Sequence, residues 1–243
     1  MKKILASILI LTLILLSSCT TQEEAPLYNT PDFANAINRI FDDYEELDGQ
    51  VFIGISGPYK DQDLAYKAAT RNAYQMALFY EDLSMKVDVN LDVNTALDRE
   101  SFRLYSNATY DEDRLVEVAG RLDIVDIQWA GGDIGAVVLA QYIDPPFDIP
   151  EEGNFIYADG VVLKYHFIQD SMFAAAYAAA VNLAMTSSDV TTVSEDIITI
   201  NDQLITKSQQ VNLSDLDGFE IVSYSYDPKT DNYTCTARAL SKN

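Results

Sequence analysis

Cysteine, histidine and basic residues are scarce in this chain, and each shortage argues against a class of site or partner. The 243 residues include 2 cysteines, 1 histidine and 16 lysines or arginines, against 38 aspartates or glutamates, for a formal net charge of −22. So few thiols and imidazoles exclude a typical zinc cluster. The lack of a basic patch disfavours nucleic acid as a partner, because phosphate binding needs clustered lysine and arginine. Direct adhesion to anionic lipid head groups is disfavoured for the same reason.

Long apolar runs are also rare, and the one at the N-terminus predicts the compartment. Residues 4–16 read "ILASILILTLILL" after two lysines and lead directly into "LSSC", which ends at Cys19. The run is shorter than the roughly 20 residues that span a bilayer, so we predict a signal peptide over residues 1–18. Small residues before a cysteine resemble a bacterial lipobox, in which a lipid is attached to Cys19. A plain secretory signal with an incidental cysteine is the alternative.

Acylation of Cys19 would anchor the protein to a membrane without spanning it. Several acyl chains together exceed the two-signal threshold for stable anchoring. We therefore expect a lipid-anchored protein of the bacterial cell envelope. Thr20 is not the acidic residue that retains some lipoproteins in the inner membrane, which favours the outer membrane. Only Cys235 then remains as a thiol, so the mature chain has no internal disulfide and depends on packing for its stability.

A polar tether and an amphipathic helix are predicted after the anchor. Residues 19–30 are mostly polar with one proline, as in a linker. Residues 31–50 follow the cap-like Thr30 and carry apolar side chains at helical spacing, namely Phe33, Ile37, Ile40, Phe41, Tyr44 and Leu47. The other side of this helix is acidic and would be repelled by anionic lipid. We therefore expect it to dock on the protein itself.

Residues 51–143 have the pattern of a small α+β domain. "VFIGISG" predicts a short strand, and residues 63–80 predict a helix whose buried stripe is mostly alanine, which allows close approach to a sheet. The strict alternation in residues 84–94 predicts a half-buried antiparallel strand packed under this helix. Residues 96–119 are ambiguous except for a short helix near their end, and "RLDIVDIQWA" with "IGAVVLAQY" forms a closing hairpin.

The same order of elements begins again after the proline-rich residues 144–153, where we place a linker. In residues 154–243, "FIYADG" repeats "FIGISG" and "GFEIVSYSY" repeats "RLDIVDIQW". The alanines of the two predicted helices also match, with Ala176, Ala180 and Ala184 in the places of Ala69, Ala73 and Ala77. We predict an internal duplication of two similar α+β domains, each with a helix on an antiparallel sheet. The alternative is that the common β-α-β-β order of elements produces part of this match.

Together these segments resemble the Lpp-twenty family of bacterial lipoproteins. The resemblance rests on the lipobox, "VFIGISG", "AYKAATRNAYQMAL" and the closing "YSYDPKTDNYTCTARA", and it covers most of residues 51–240. It implies a tandem copy of a dodecin-like domain, related to flagellar-accessory domains, in a surface or outer-membrane lipoprotein. It supplies no catalytic residue. The chain departs from the pattern at Tyr157 and Ala158, and the first hairpin has "AGGD" in place of "DPKTD".

Residues that could carry catalysis are few. His166 is the single histidine and would have to be the base of a Ser-His-Asp triad, but "GISG" around Ser56 lacks the spacing of a nucleophile elbow. Asp and Glu are too numerous for any pair to indicate a glycosidase. We therefore predict no catalytic residue and interpret His166 as structural or exposed.

Metal, cofactor and thiol sites are likewise not predicted. Asp88, Asn90 and Asp92 resemble the start of a calcium loop, but Val93 stands where the sharp turn needs glycine, and strand alternation explains them better. "DPKTDN" is interpreted as a turn. Cys235 shares its strand face with Tyr233 and Ala237, which favours a buried small residue over a reactive thiol.

The sequence therefore favours a non-enzymatic interaction or structural module of the envelope. We expect it to contact the membrane through acyl chains on Cys19 and to bind another envelope protein, because exposed sheet edges are natural docking surfaces. An accessory lipoprotein of a flagellar or secretion assembly is the first alternative. A hydrolase or ligand-binding lipoprotein is the second, and a deep pocket lined by converging polar groups would favour it.

Overall fold

The computed structural model of the chain describes residues 31–45, 50–84, 90–92, 112–146, 150–165, 167–186, 194–200, 203–212 and 216–241. Its helices are α1 (Pro31–Glu45), α2 (Gln62–Ser84), α3 (Glu112–Ala119) and α4 (Ile168–Thr186). Its strands are β1 (Val51–Ile55), β2 (Asn90–Asp92), β3 (Leu122–Gly131), β4 (Gly135–Tyr142), β5 (Phe155–Leu163), β6 (Ser194–Ile200), β7 (Gln203–Asn212), β8 (Glu220–Asp227) and β9 (Asn232–Leu240).

The described strands form small antiparallel sheets, and helices pack against them, so the predicted α+β class is confirmed. Two sheets have the same order, β1-β4-β3 and β5-β9-β8, with the last hairpin of each set beside its first strand. The order of a third sheet is β2-β7-β6. We call β1, α2, α3, β3 and β4 the first unit, and β5, α4, β8 and β9 the second unit.

Glycine and alanine bring a helix unusually close to a strand in both units. The predicted alanine stripe of α2 is fully buried. A Cβ on Gly54 of β1 would lie 1.9 Å from the carbonyl oxygen of Ala69, and a Cβ on Gly160 of β5 would lie 2.0 Å from that of Ala175. Each glycine is therefore required by the backbone of the helix above it.

These contacts correct the predicted alignment of the two helices. Ala175 and Ala179 of α4 contact Gly160 as Ala69 and Ala73 of α2 contact Gly54. The sequence match to Ala176 and Ala180 was therefore wrong by one residue. Gly160 ends "FIYADG" but corresponds to the middle of "FIGISG", so the predicted strand match was wrong as well.

The described part of the strand predicted over residues 84–94 does not belong to the sheet beneath α2. Of this segment the structure describes β2, which pairs with β7 in the third sheet. Helix α2 packs instead on β1 and β4. The predicted strand is confirmed at residues 90–92, whereas Ser84 belongs to α2 and residues 85–89 and 93–94 lie outside the described ranges. Alternation carries no information about the neighbours of a strand.

Helix α1 docks on the second unit, as expected for a helix with one apolar side. Phe33, Ile37, Ile40 and Phe41 are buried, and the helix packs against β8. Its described part runs from Pro31 to Glu45, and residues 46–49 of the predicted helix lie outside the described ranges. Residues 1–30, with the predicted signal peptide, Cys19 and tether, also lie outside them.

The two units share one continuous hydrophobic core. Helix α4 is buried on nearly all sides, which agrees with its uniformly apolar sequence. The N–H of Ile55 donates to Oε1 of Gln169 at 2.8 Å, and the rings of Phe79 and Phe173 lie 5.0 Å apart. A domain boundary at residues 144–153 stays a prediction. No helix in the described ranges has the length and apolarity needed to cross a membrane.

Candidate docking surface

One flank of α2 presents aromatic side chains that its own sheet does not cover. Because alanines face β1 and β4, the adjacent flank carries Tyr66, Thr70 and Tyr74 at a spacing of one helical turn. All three are only partly buried. This flank forms one wall of a cleft of about 370 Å³.

Helix α3 forms the other wall of the cleft. Leu115 and Val118 are buried against the core, whereas Val116 lies at the cleft and is 68% exposed. At the rim, Nη1 of Arg71 donates to both carboxylate oxygens of Glu112 at 2.7 and 2.8 Å. These two charges neutralise each other and leave Lys67 as the other charged residue of an otherwise chiefly apolar cleft.

The apolar surface continues from the cleft onto β3. The ring of Tyr66 lies 6.3 Å from that of Trp129 in an edge-to-face arrangement. Ile127 pairs with Val138, and Val138 pairs with Gly54, which faces α2. Since cross-strand partners share a face, Ile127 and Trp129 lie on the α2 side of the sheet.

Ile127 is 53% exposed and Trp129 is 39% exposed. Exposure of large apolar side chains side by side marks an interaction surface more often than scattered single residues do. We call Tyr66, Tyr74, Val116, Ile127 and Trp129 together the edge surface, since β3 is an edge strand of its sheet.

The corresponding residues of the second unit are covered. Strands β3 and β8 each contain a bulge, at Val125 and Val222, and the second residue after each bulge is Ile127 in β3 and Tyr224 in β8. The row Gly160–Cys235–Tyr224 thus matches the row Gly54–Val138–Ile127. By the same register Tyr226 corresponds to Trp129.

Tyr224 and Tyr226 are each only 3% exposed because α1 packs over them. The ring of Phe41 lies 5.6 Å from that of Tyr224, and the ring of Phe33 lies 5.8 Å from that of Tyr226. Burial raises the pKa of both tyrosines above the ordinary value, and for Tyr226 a hydrogen bond to Asp231 adds to this. The matching positions are therefore buried in the second unit and exposed in the first unit.

A buried polar cluster at the other end of α2 is structural. Nη2 of Arg121 donates to both carboxylate oxygens of Glu81 at 2.6 and 2.8 Å, and the hydroxyl of Tyr142 donates to Glu81 at 2.8 Å. The contact with Glu81 raises the pKa of Arg121, and burial is the main reason that the pKa of Tyr142 is raised. The cluster ties α2 to the start of β3 and the end of β4.

The residues considered from sequence for other chemistry form no site in the described ranges. His166, Asp88 and Cys19 lie outside those ranges, and no group of three metal-ligating side chains occurs within them. Cys235 is buried among the residues of β9, and desolvation raises the pKa of its thiol, which opposes thiolate formation. Residues 228–231 form the turn between β8 and β9, and the carboxylate of Asp227 accepts hydrogen bonds from Lys229 and Thr230.

Sequence reasoning missed the edge surface although its signal was present. The predicted repeat pairs Ile127 and Trp129 with Tyr224 and Tyr226, and all four are large and apolar. Only the structure shows that α1 covers the second pair and leaves the first pair open. A helix that precedes both copies gives no indication in sequence of the copy on which it docks.

Comparison of the chain with models of known protein families, with curated proteins and with solved structures finds no match. The resemblance to the Lpp-twenty lipoproteins therefore stays a prediction made from residues and motifs. Conclusions about this chain rest on its own sequence and geometry.

Proposed function

We propose that the protein is a membrane-anchored lipoprotein of the bacterial cell envelope that acts as a non-enzymatic interaction module. In this proposal residues 1–18 are removed, acyl chains on Cys19 hold the protein at the outer membrane, and residues 20–30 tether the folded part. The lipobox-like "LSSC" and the short apolar run before it support the anchor. The net charge of −22 supports attachment by lipid rather than by adhesion to anionic head groups.

We further propose that the folded part is a tandem repeat of one small α+β domain of the Lpp-twenty type. Three independent correspondences support it: equal strand order, a glycine under the helix at the same place, and a bulge at the same place in β3 and β8. Chance similarity of a β-α-β-β arrangement explains the order of elements but does not require the same bulge position.

The observation that carries the docking function is the contrast between the two units. The edge surface is apolar, continuous from the cleft to Trp129, and more exposed than the matching positions under α1. Exposing such side chains to water loses the free energy that burial would provide, about 25 cal/mol per Å². A protein partner that covers them recovers this energy.

The anchor is tested by replacing Cys19 with alanine. We expect the wild-type protein to incorporate labelled palmitate and to fractionate with membranes, and the Cys19→Ala protein to do neither. Unchanged fractionation of the Cys19→Ala protein would count against lipid attachment.

The docking function is tested by crosslinking in intact cells followed by affinity capture. Val116→Asp places a charge on the edge surface, and Val161→Asp places the same charge on the outer face of β5, where Val161 is 51% exposed. We expect the first variant to lose crosslinked partners and the second to retain them. Equal capture by both variants would contradict docking at the edge surface.

The cleft supports the binding of a small ligand as a second candidate function of the lipoprotein. Its volume of about 370 Å³ is in the range of small-molecule sites. Arg71 and Glu112 are paired with each other and Lys67 is the other charged lining residue, so the ligand class would be chiefly apolar. Native mass spectrometry of protein released gently from membranes distinguishes this candidate, since a bound small molecule adds a discrete mass.

A further inference from the structure

Helix α1 shows how this fold covers the edge of one of its sheets. Its buried residues Phe33, Ile37 and Phe41 are spaced four residues apart and lie on one side of the helix. Phe33 contacts the ring of Tyr226 and Phe41 contacts that of Tyr224. The helix therefore runs beside β8, with its N-terminal half over Tyr226 and its C-terminal half over Tyr224.

A single polar residue of α1 also binds the backbone of the edge strand. Nδ2 of Asn38 donates to the carbonyl oxygen of Tyr226 at 3.0 Å, and the N–H of Tyr226 donates to Oδ1 of Asn38 at 2.9 Å. An edge strand presents such backbone groups to any chain that can pair with them. Asn38 thus forms hydrogen bonds with the N–H and the carbonyl oxygen of Tyr226, to which another strand would otherwise bind.

In the first unit, helix α3 does not cover the edge strand β3 as α1 covers β8. Helix α3 packs chiefly on α2 and makes little contact with β3. Ile127 and Trp129, the counterparts of the two tyrosines under α1, stay 53% and 39% exposed.

We propose that the edge surface binds an amphipathic α-helix of a partner protein, in the manner in which α1 binds β8. The partner helix presents two aromatic side chains eight positions apart with an aliphatic residue between them, directed at Ile127, Trp129 and the flank of α2. This inference rests on the proposed docking function and specifies the kind of partner.

Charge further defines the partner helix. This chain carries a net charge of −22, so the approach of an acidic helix is opposed by long-range repulsion. The outward side of α1 is itself acidic at Asp42, Asp43 and Glu45, and its own chain holds it in place. A helix from a separate protein lacks that advantage, and lysine or arginine on its outward side favours association.

A fluorescence titration tests this inference, because Trp129 is the only tryptophan in the chain. The probe is a helix-stabilised peptide with the sequence of residues 31–45 in which the changes Asp42→Lys, Asp43→Lys and Glu45→Lys make it basic. Stabilisation is needed because isolated helices of this length are marginal in water. The protein is the full chain purified in detergent.

We expect saturable binding, a blue shift of the tryptophan emission and roughly twofold weaker quenching by acrylamide as the indole becomes buried. A peptide that also carries Phe33→Ala and Phe41→Ala should give no shift. Val116→Asp in the protein should weaken binding by about tenfold. Val161→Asp, on the opposite face of the other sheet, should leave it unchanged.

Three outcomes would overturn the inference. If acrylamide does not quench Trp129 before any peptide is added, then this chain or a second copy of it already covers the edge surface. Sedimentation distinguishes these two cases, because a second copy makes the protein a dimer. Binding that ignores the two phenylalanines means that the peptide adheres by charge alone. Absence of binding, together with loss of cellular capture in the Val116→Asp variant, rejects the helix while leaving the docking function intact.

Discussion

Substitution of the two glycines beneath the helices tests whether the units are built on the same close contact. In Gly54→Ala the new Cβ would lie 1.9 Å from the carbonyl oxygen of Ala69 and 2.5 Å from the amide nitrogen of Ala73. In Gly160→Ala the corresponding distances to Ala175 and Ala179 are 2.0 and 2.3 Å. All four atoms belong to helix backbones, so rotation of a side chain cannot relieve either clash.

The magnitude follows from how far each helix must move. Carbon and oxygen atoms that are not bonded approach to about 3.3 Å, so each helix has to shift by more than an ångström from its sheet. Overpacking in a core typically costs about 1–3 kcal/mol, and a backbone clash lies at the upper end. We therefore expect each variant to lose about 3 kcal/mol of unfolding free energy.

Urea unfolding followed by circular dichroism measures this loss as a lower midpoint. Gly120→Ala is the matched control, because its Cβ would come no closer than 3.4 Å to another residue. We expect that control to stay within about 0.5 kcal/mol of the wild type. A result in which both Gly54→Ala and Gly160→Ala match the control would refute the close contacts, and a loss in only one of the two variants would refute their equivalence.

Three further predictions concern buried polar groups. Glu81→Gln removes the carboxylate bound by Arg121 and Tyr142. Because Arg121 is partly exposed, we expect a loss of only about 2 kcal/mol in the free energy of unfolding measured with urea. An unchanged midpoint would contradict this prediction. Burial raises the pKa of Tyr142 and other tyrosines, so the free energy of unfolding should fall as pH rises above about 10, where the phenols of the unfolded chain ionise. The absorbance of ionised tyrosine should therefore increase together with unfolding. A gradual increase before unfolding would argue against burial. The thiol of Cys235 should react with a disulfide reagent only in denaturant, and rapid reaction of the native protein would show that it is not buried.

The helices and hairpins were predictable because their patterns are local. Alternation and turn residues identified β3, β4, β8 and β9, and alanine spacing identified the buried side of α2. Strand β7 was missed because "QLITKSQQVN" is mostly polar and shows little alternation. The pairing of β2 with β7 joins distant parts of the chain, and side-chain period does not specify a partner strand.

The alignment of the repeats failed for a related reason. Helix α4 contains "AAAYAAAV", in which almost any offset places alanine opposite alanine, so composition cannot fix the register. The close contact at Gly160 fixes it, and that contact is a property of packing. The edge surface was not predicted for the same reason, since exposure of Trp129 depends on where α1 docks.

Site-specific photocrosslinking in living cells tests the central claim most directly. A photoreactive amino acid in place of Val116 reports what lies against the edge surface, and the same group in place of Val161 is the control. Docking at the edge surface of the anchored protein predicts a discrete crosslinked protein from position 116, none from position 161, and loss of the product in the Cys19→Ala background. Equal products from both positions, or a product that survives loss of the anchor undiminished, would contradict it.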